Sequence, residues 1–173
     1  MIRLLFIDDE ASHFTSLQDY LADICASMRV KHTIERLFVT AEDVAQMQFE
    51  PQANGKSLST KEKYKQTLVH KIQARLSECR ASKTHVILIF DNLMVVPGGS
   101  FYLDEFITQL WFQEPDGWLE NVPIIGWVSD LDRRALAKLD KHPRNKSKIL
   151  SNIPTAGALG LRQFEEALRA ALQ

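Results

Sequence analysis

Apolar residues along this chain fall into two rhythms. Short, nearly unbroken runs occupy residues 2–7 (IRLLFI), 85–90 (HVILIF) and 122–128 (VPIIGWV). Runs this uniformly apolar suit strands covered on both faces, the setting of a parallel sheet. KHTIERLFV at 31–39 reads as a further strand, and 148–150 as a short one. Between these runs the apolar positions recur at helical spacing instead. Phe14, Leu17, Leu21, Ile24, Cys25 and Met28 make one face of a helix, with His13, Gln18 and Asp19 turned outward. A short helix is predicted over 41–48. A longer one carries the stripe Tyr64, Leu68, Ile72 and Leu76, flanked by Lys61, Lys63, Lys65 and Lys71. Two more are expected over 102–112 and 131–139, and a last one has Leu161, Phe164, Leu168 and Leu172 on one face.

Strands alternating with helices predict one doubly wound α/β domain around a five-stranded parallel sheet. FEPQANGKSLST at 49–60 interrupts the alternation with turn chemistry. Residues 50–80 therefore read as an insertion before the third strand, comprising a flexible loop and the lysine-flanked helix. That helix is expected to be a surface addition whose removal leaves the core folded, with its stripe packed on the body of the domain rather than on a partner, because leaving it uncovered would create a sticky patch. Pro97, Gly98 and Gly99 read as a Gly-containing loop, with a turn at Gly98-Gly99 rather than a phosphate cradle.

Composition narrows the function classes. The chain has 173 residues, enough for one sizeable core. With 45% hydrophobic and 25% charged residues, it is an ordinary globular composition. A formal charge of -1 gives no global field for nucleic acid or an anionic membrane. No apolar run approaches transmembrane length and no signal-peptide pattern opens the chain. Cys25 and Cys79 lack metal-ligand spacing and fall on helical apolar faces, so two buried thiols in a reducing cytoplasm are expected.

The chemistry gathers where strands end. The first run leads straight into Asp8, Asp9 and Glu10, the third into Asp91, and the fourth into Ser129. In doubly wound sheets the carboxyl ends of the strands form the binding crevice. Crowded carboxylates repel one another, and oxygen ligands of this kind suit Mg2+. Three carboxylates, a cation and a hydroxyl make a coherent phosphoryl-transfer site, with one Asp as acceptor nucleophile.

FIDDE at 6–10, ILIFDNLMVVPGG at 87–99 and VPIIGWVS at 122–129 together resemble the receiver domain of two-component response regulators. The resemblance implies a flavodoxin-like fold and a signalling switch, not an enzyme. It implies Asp91 as phospho-acceptor, Asp8, Asp9 and Asp91 as Mg2+ ligands with the Leu93 carbonyl, and Ser129 as the hydroxyl contact. It also implies a histidine kinase or phosphotransfer protein as donor and a downstream protein as target, with no membrane or direct nucleic-acid contact; a homodimer is a further option. The chain departs from the family where a lysine precedes a proline on strand five: here Ile153 precedes Pro154, and Lys148 is the nearest lysine. Asp130 follows Ser129, where the family has a small residue. A receiver-fold interaction module that is never phosphorylated is the alternative. A haloacid-dehalogenase-type phosphohydrolase would need a second Asp two residues after the first, followed by Thr, which DDEAS lacks. His70 reads as a solvated helical position rather than a relay histidine.

Overall fold

The computed structural model of the chain describes residues 1–53, 55–91, 93–113, 117–128, 137–139, 141–146, 150–154 and 158–173, with backbone alone at 103, 127–128, 150–154 and 158–161. The fold is α/β. Strands β1 (Ile2–Ile7), β2 (His32–Leu37), β3 (His85–Asp91) and β6 (Ile124–Val128) form a parallel sheet in the order β2-β1-β3-β6. Helix α1 (Ala11–Ser27) connects β1 to β2. Helices α2 (Ala41–Gln46) and α3 (Thr60–Ala81) lie between β2 and β3. The backbone of β7 (Leu150–Pro154) runs parallel beside β6, with Ile124 opposite Leu150. This strand begins where the 148–150 prediction ends. The chain closes with α5 (Ala158–Ala171). Of the helix expected over 131–139, residues 137–139 are helical and Leu139 is buried; the rest lies outside the described residues.

Strand side chains alternate between the two faces of the sheet, and the apolar runs divide accordingly. Leu5, Ile7, Val86, Leu88, Phe90 and Ile124 join one core cluster. Ile2, Leu4, Phe6, Ile87, Ile89 and Ile125 join the other. The second face is covered by α1, through Leu17, Leu21, Ile24 and Cys25, and by Phe164 and Leu168 of α5. The first is covered by α3, whose Leu68, Val69, Ile72, Leu76 and Cys79 are all buried.

The lysine-flanked helix is thus a structural member of the domain. Two parallel neighbours of β1 require a crossover between β2 and β3, and α3 supplies it. Its stripe packs internally as expected: Ile72 is 0% exposed and Leu68 1%. Ser59 caps the helix, its side chain accepting from the Glu62 N–H at 3.2 Å. Lys65, expected beside the stripe, is itself buried and paired with Glu105. Lys71 reaches Asp43 at 2.9 Å and ties α2 to α3.

The segment after β3 differs from expectation. The expected turn is present, but two strands that were not expected flank it: β4 (Leu93–Val96) and β5 (Gly99–Tyr102) form an antiparallel hairpin, followed directly by α4 (Leu103–Gln113). Pro97 and Gly98 make its turn, and Gly98 has φ +89°, which suits a proline-glycine type II turn. A Cβ on Gly98 would lie 2.9 Å from the Lys61 backbone nitrogen. The hairpin tip is therefore seated on the first turn of α3. Met94 and Phe101 face the core, while Leu93, Val95 and Tyr102 are exposed.

Candidate functional site

Parallel register sets the geometry. Ile7 pairs with Phe90, so the next residues along the two strands, Asp8 and Asp91, stand at adjacent strand ends. Sheet alternation then sorts the acids. Ile7 and Phe90 both point to the α3 face, which directs Asp8 and Asp91 to the α1 face and Asp9 back to the α3 face.

The side chains follow that sorting. Ligand atoms of Asp8, Asp91 and His13 lie within 4.8 Å of one another. Asp8 is fully buried, whereas Asp91 and His13 are half-buried. The Glu10 backbone N–H donates to Asp8 Oδ1 at 2.6 Å, and Asp8 Oδ2 lies 3.1 Å from His13 Nδ1. His13 Nε2 is 3.2 Å from Glu10 Oε2, so the imidazole bridges two carboxylates. Burial pushes the Asp8 carboxyl above its ordinary range, opposed by the Glu10 N–H and by the charge and hydrogen bond of His13.

Asp9 is turned away from this group. Its Oδ2 accepts from the Val95 N–H at 3.2 Å, tying the end of β1 to the hairpin. Its carbonyl accepts from Arg36 Nη2 at 2.8 Å. Asp9 lines a cavity of about 130 Å³ together with Phe38, Val39, Tyr64, Leu68 and Val95. Asp9 Oδ1 and Arg36 Nε are buried with no hydrogen-bond partner among the described residues. A buried, unpaired polar atom costs about 1–3 kcal/mol.

Among the sequence-predicted ligands, the structure brings Asp8 and Asp91 together and places Asp9 on the opposite face of the sheet. Leu93 begins β4 with its side chain exposed. Ser129 and Lys148 lie outside the described residues. His13 was expected to face outward, yet its ring meets Asp8. The available signal was its place in the first turn of α1, directly after the acidic run. Arg36 carried no comparable signal, since its contact is with a backbone carbonyl.

The donor set, two carboxylates and an imidazole beside a buried strand end, fits a divalent cation in chemistry and spacing. Compared with known proteins, the chain matches no family model, no curated protein and no solved structure. Among the described residues, no helix is long and apolar enough to cross a membrane.

Proposed function

We propose that this chain is a receiver-like signalling module in which Asp91 accepts a phosphoryl group beside a divalent cation site. The observation that carries this reading is the pairing of strand ends. Register places Asp8 and Asp91 on the same face of adjacent strands, one buried and one half-buried, at the crevice where such sheets bind ligands. Counting β7 as the fifth strand gives the strand order of a flavodoxin-like, doubly wound domain.

In this reading an Asp91 carboxylate oxygen attacks the donor phosphorus in line. The new O–P bond forms as the bond to the donor group breaks, and the donor leaves with that electron pair. A hard cation such as Mg2+, when bound, neutralises charge on the phosphoryl oxygens. Asp8 holds its side of the cation site, the Leu93 carbonyl follows the acceptor in the chain, and Ser129 supplies the hydroxyl contact. Asp9 acts indirectly, by anchoring the hairpin through Val95. The donor is a histidine kinase or phosphotransfer protein in the cytoplasm, and the module switches a protein target without turning over a substrate.

A second reading has its own support. The hairpin that starts two residues after Asp91 exposes Leu93, Val95 and Tyr102 side by side, which suits a protein-docking module that is never phosphorylated. Incubation with acetyl phosphate and Mg2+, followed by intact-mass measurement, separates the two. The switch requires addition of one phosphoryl group to the parent chain and none to Asp91→Asn. An unlabelled parent that also fails to bind beryllofluoride favours the docking module.

A further inference from the structure

We propose that His13 is the third protein ligand of the cation site, held in place by Glu10, and that the site takes an imidazole-accepting transition-metal ion in preference to Mg2+. The inference rests on the cation site of the proposed function and specifies which ion occupies it.

Three observations converge. The ligand atoms of Asp8, His13 and Asp91 share one cluster within 4.8 Å. For metal–ligand bonds of about 2.1 Å, neighbouring ligand atoms sit about 3.0 Å apart around an octahedral ion and about 3.4 Å around a tetrahedral one. The 3.1 Å between His13 Nδ1 and Asp8 Oδ2 is an edge of that size. Next, the imidazole is oriented as a ligand would be. Nδ1 shares a hydrogen bond with Asp8 Oδ2 at 3.1 Å; an ion that replaces the shared proton would meet the Nδ1 lone pair beside Asp8, while Nε2 keeps its own proton against Glu10 Oε2 at 3.2 Å. Metal-bound histidines are commonly fixed this way, by a carboxylate on the other ring nitrogen. Finally, ion choice follows from donor type. Carboxylates alone suit Mg2+, which favours an all-oxygen shell and dehydrates reluctantly. An imidazole in the set moves preference toward Mn2+, Co2+ and Zn2+, rising along the Irving–Williams order. His13 stands in the first turn of a 17-residue helix packed on the core, so its position is set by the fold.

The test compares Co2+ and Mg2+ binding by calorimetry, with the visible spectrum of bound Co2+ as a second readout. Parent protein, His13→Gln, Glu10→Gln and Asp91→Asn are compared. The expected result is Co2+ at least tenfold tighter than Mg2+ in the parent. His13→Gln should lose at least tenfold in Co2+ affinity with a changed spectrum, while Mg2+ binding moves less than twofold. Glu10→Gln should weaken Co2+ by a smaller factor. The four other histidines supply any adventitious Co2+ site, and such binding would survive in His13→Gln. Parent-like Co2+ affinity and spectrum in folded His13→Gln overturn the proposal, as does a parent that prefers Mg2+. Acetyl phosphate labelling is scored separately. His13-dependent Co2+ binding without labelling removes the phosphoryl switch and leaves the metal assignment standing; labelling with His13-independent binding does the reverse.

Discussion

Replacing Leu68 and Ile72 with alanine should destabilise the domain by about 4–6 kcal/mol, with each single change costing about 3. Both side chains are almost wholly buried between α3 and the sheet. Each substitution removes three carbon groups at about 0.8 kcal/mol apiece, or about 2.4 kcal/mol of transfer free energy, and cavity formation adds to this. The two positions are one helical turn apart, so they share neighbours and the double variant need not reach the full sum. Urea unfolding followed by circular dichroism is the assay. With a slope near 2 kcal/mol per molar, each single variant should lower the midpoint by about 1.5 M. The double variant should approach the whole stability of an ordinary domain, roughly 5–15 kcal/mol. Leu93→Ala, on the exposed face of the hairpin, is the control and should move stability by no more than about 0.5 kcal/mol. A double variant that unfolds at the parent midpoint would refute the packing argument, because the helix could not then be the cover of that sheet face.

Three other outcomes are expected. Gly98→Ala should cost about 1–3 kcal/mol in the same assay, since a positive φ and a close approach to the Lys61 nitrogen both oppose a side chain; parent-like stability would mean that the hairpin tip is not seated on α3. Lys71→Ala should remove a modest contribution, about 0.5 kcal/mol because both partners are about a third exposed. The Lys71 hydrogen bond holds the Asp43 carboxyl below its ordinary range. The contribution is therefore present at neutral pH and lost as pH falls through the depressed value, so the parent and variant stability curves should converge in acid; a gap that widens there would contradict the assignment. Asp91→Asn should stay folded and lose all acetyl phosphate labelling, and persistent labelling would place the acceptor elsewhere.

Much of the architecture was legible because it depends on burial. Strands covered on both faces have to be almost entirely apolar, and IRLLFI and HVILIF announce themselves on that ground alone. The hairpin was harder to read. Each of its strands is only four residues long, and β5 runs without a gap into α4, so neither rhythm persists long enough to register. Pro97-Gly98 between Leu93–Val96 and Gly99–Tyr102 was the available cue, a turn-forming pair joining two short runs. The role of the lysine-flanked helix was harder to read than its existence. The long connection after β2 hid the fact that α3 is the crossover itself. At the site, strand ends located the acids, but position along the chain does not reveal sidedness. Extending the strand alternation by one residue would have put Asp8 and Asp91 on one face and Asp9 on the other. The meeting of His13 with Asp8 depends on how α1 leaves the sheet, a tertiary matter beyond the reach of helical periodicity.

The opposite facing of Asp8 and Asp9 has a structural consequence. These neighbours share one peptide bond, yet Asp8 is hydrogen-bonded on the α1 side and Asp9 is fastened to the Val95 N–H of the hairpin. A single planar peptide between them therefore spans the thickness of the sheet, with one carboxylate presented on each side. From the Asp9–Val95 bond the path of contacts continues along β4 to a tip set at Gly98 against Lys61. The hairpin's exposed face is thereby joined to the acidic strand end through one carboxylate, so the two ends of the domain's chemistry share a single residue pair.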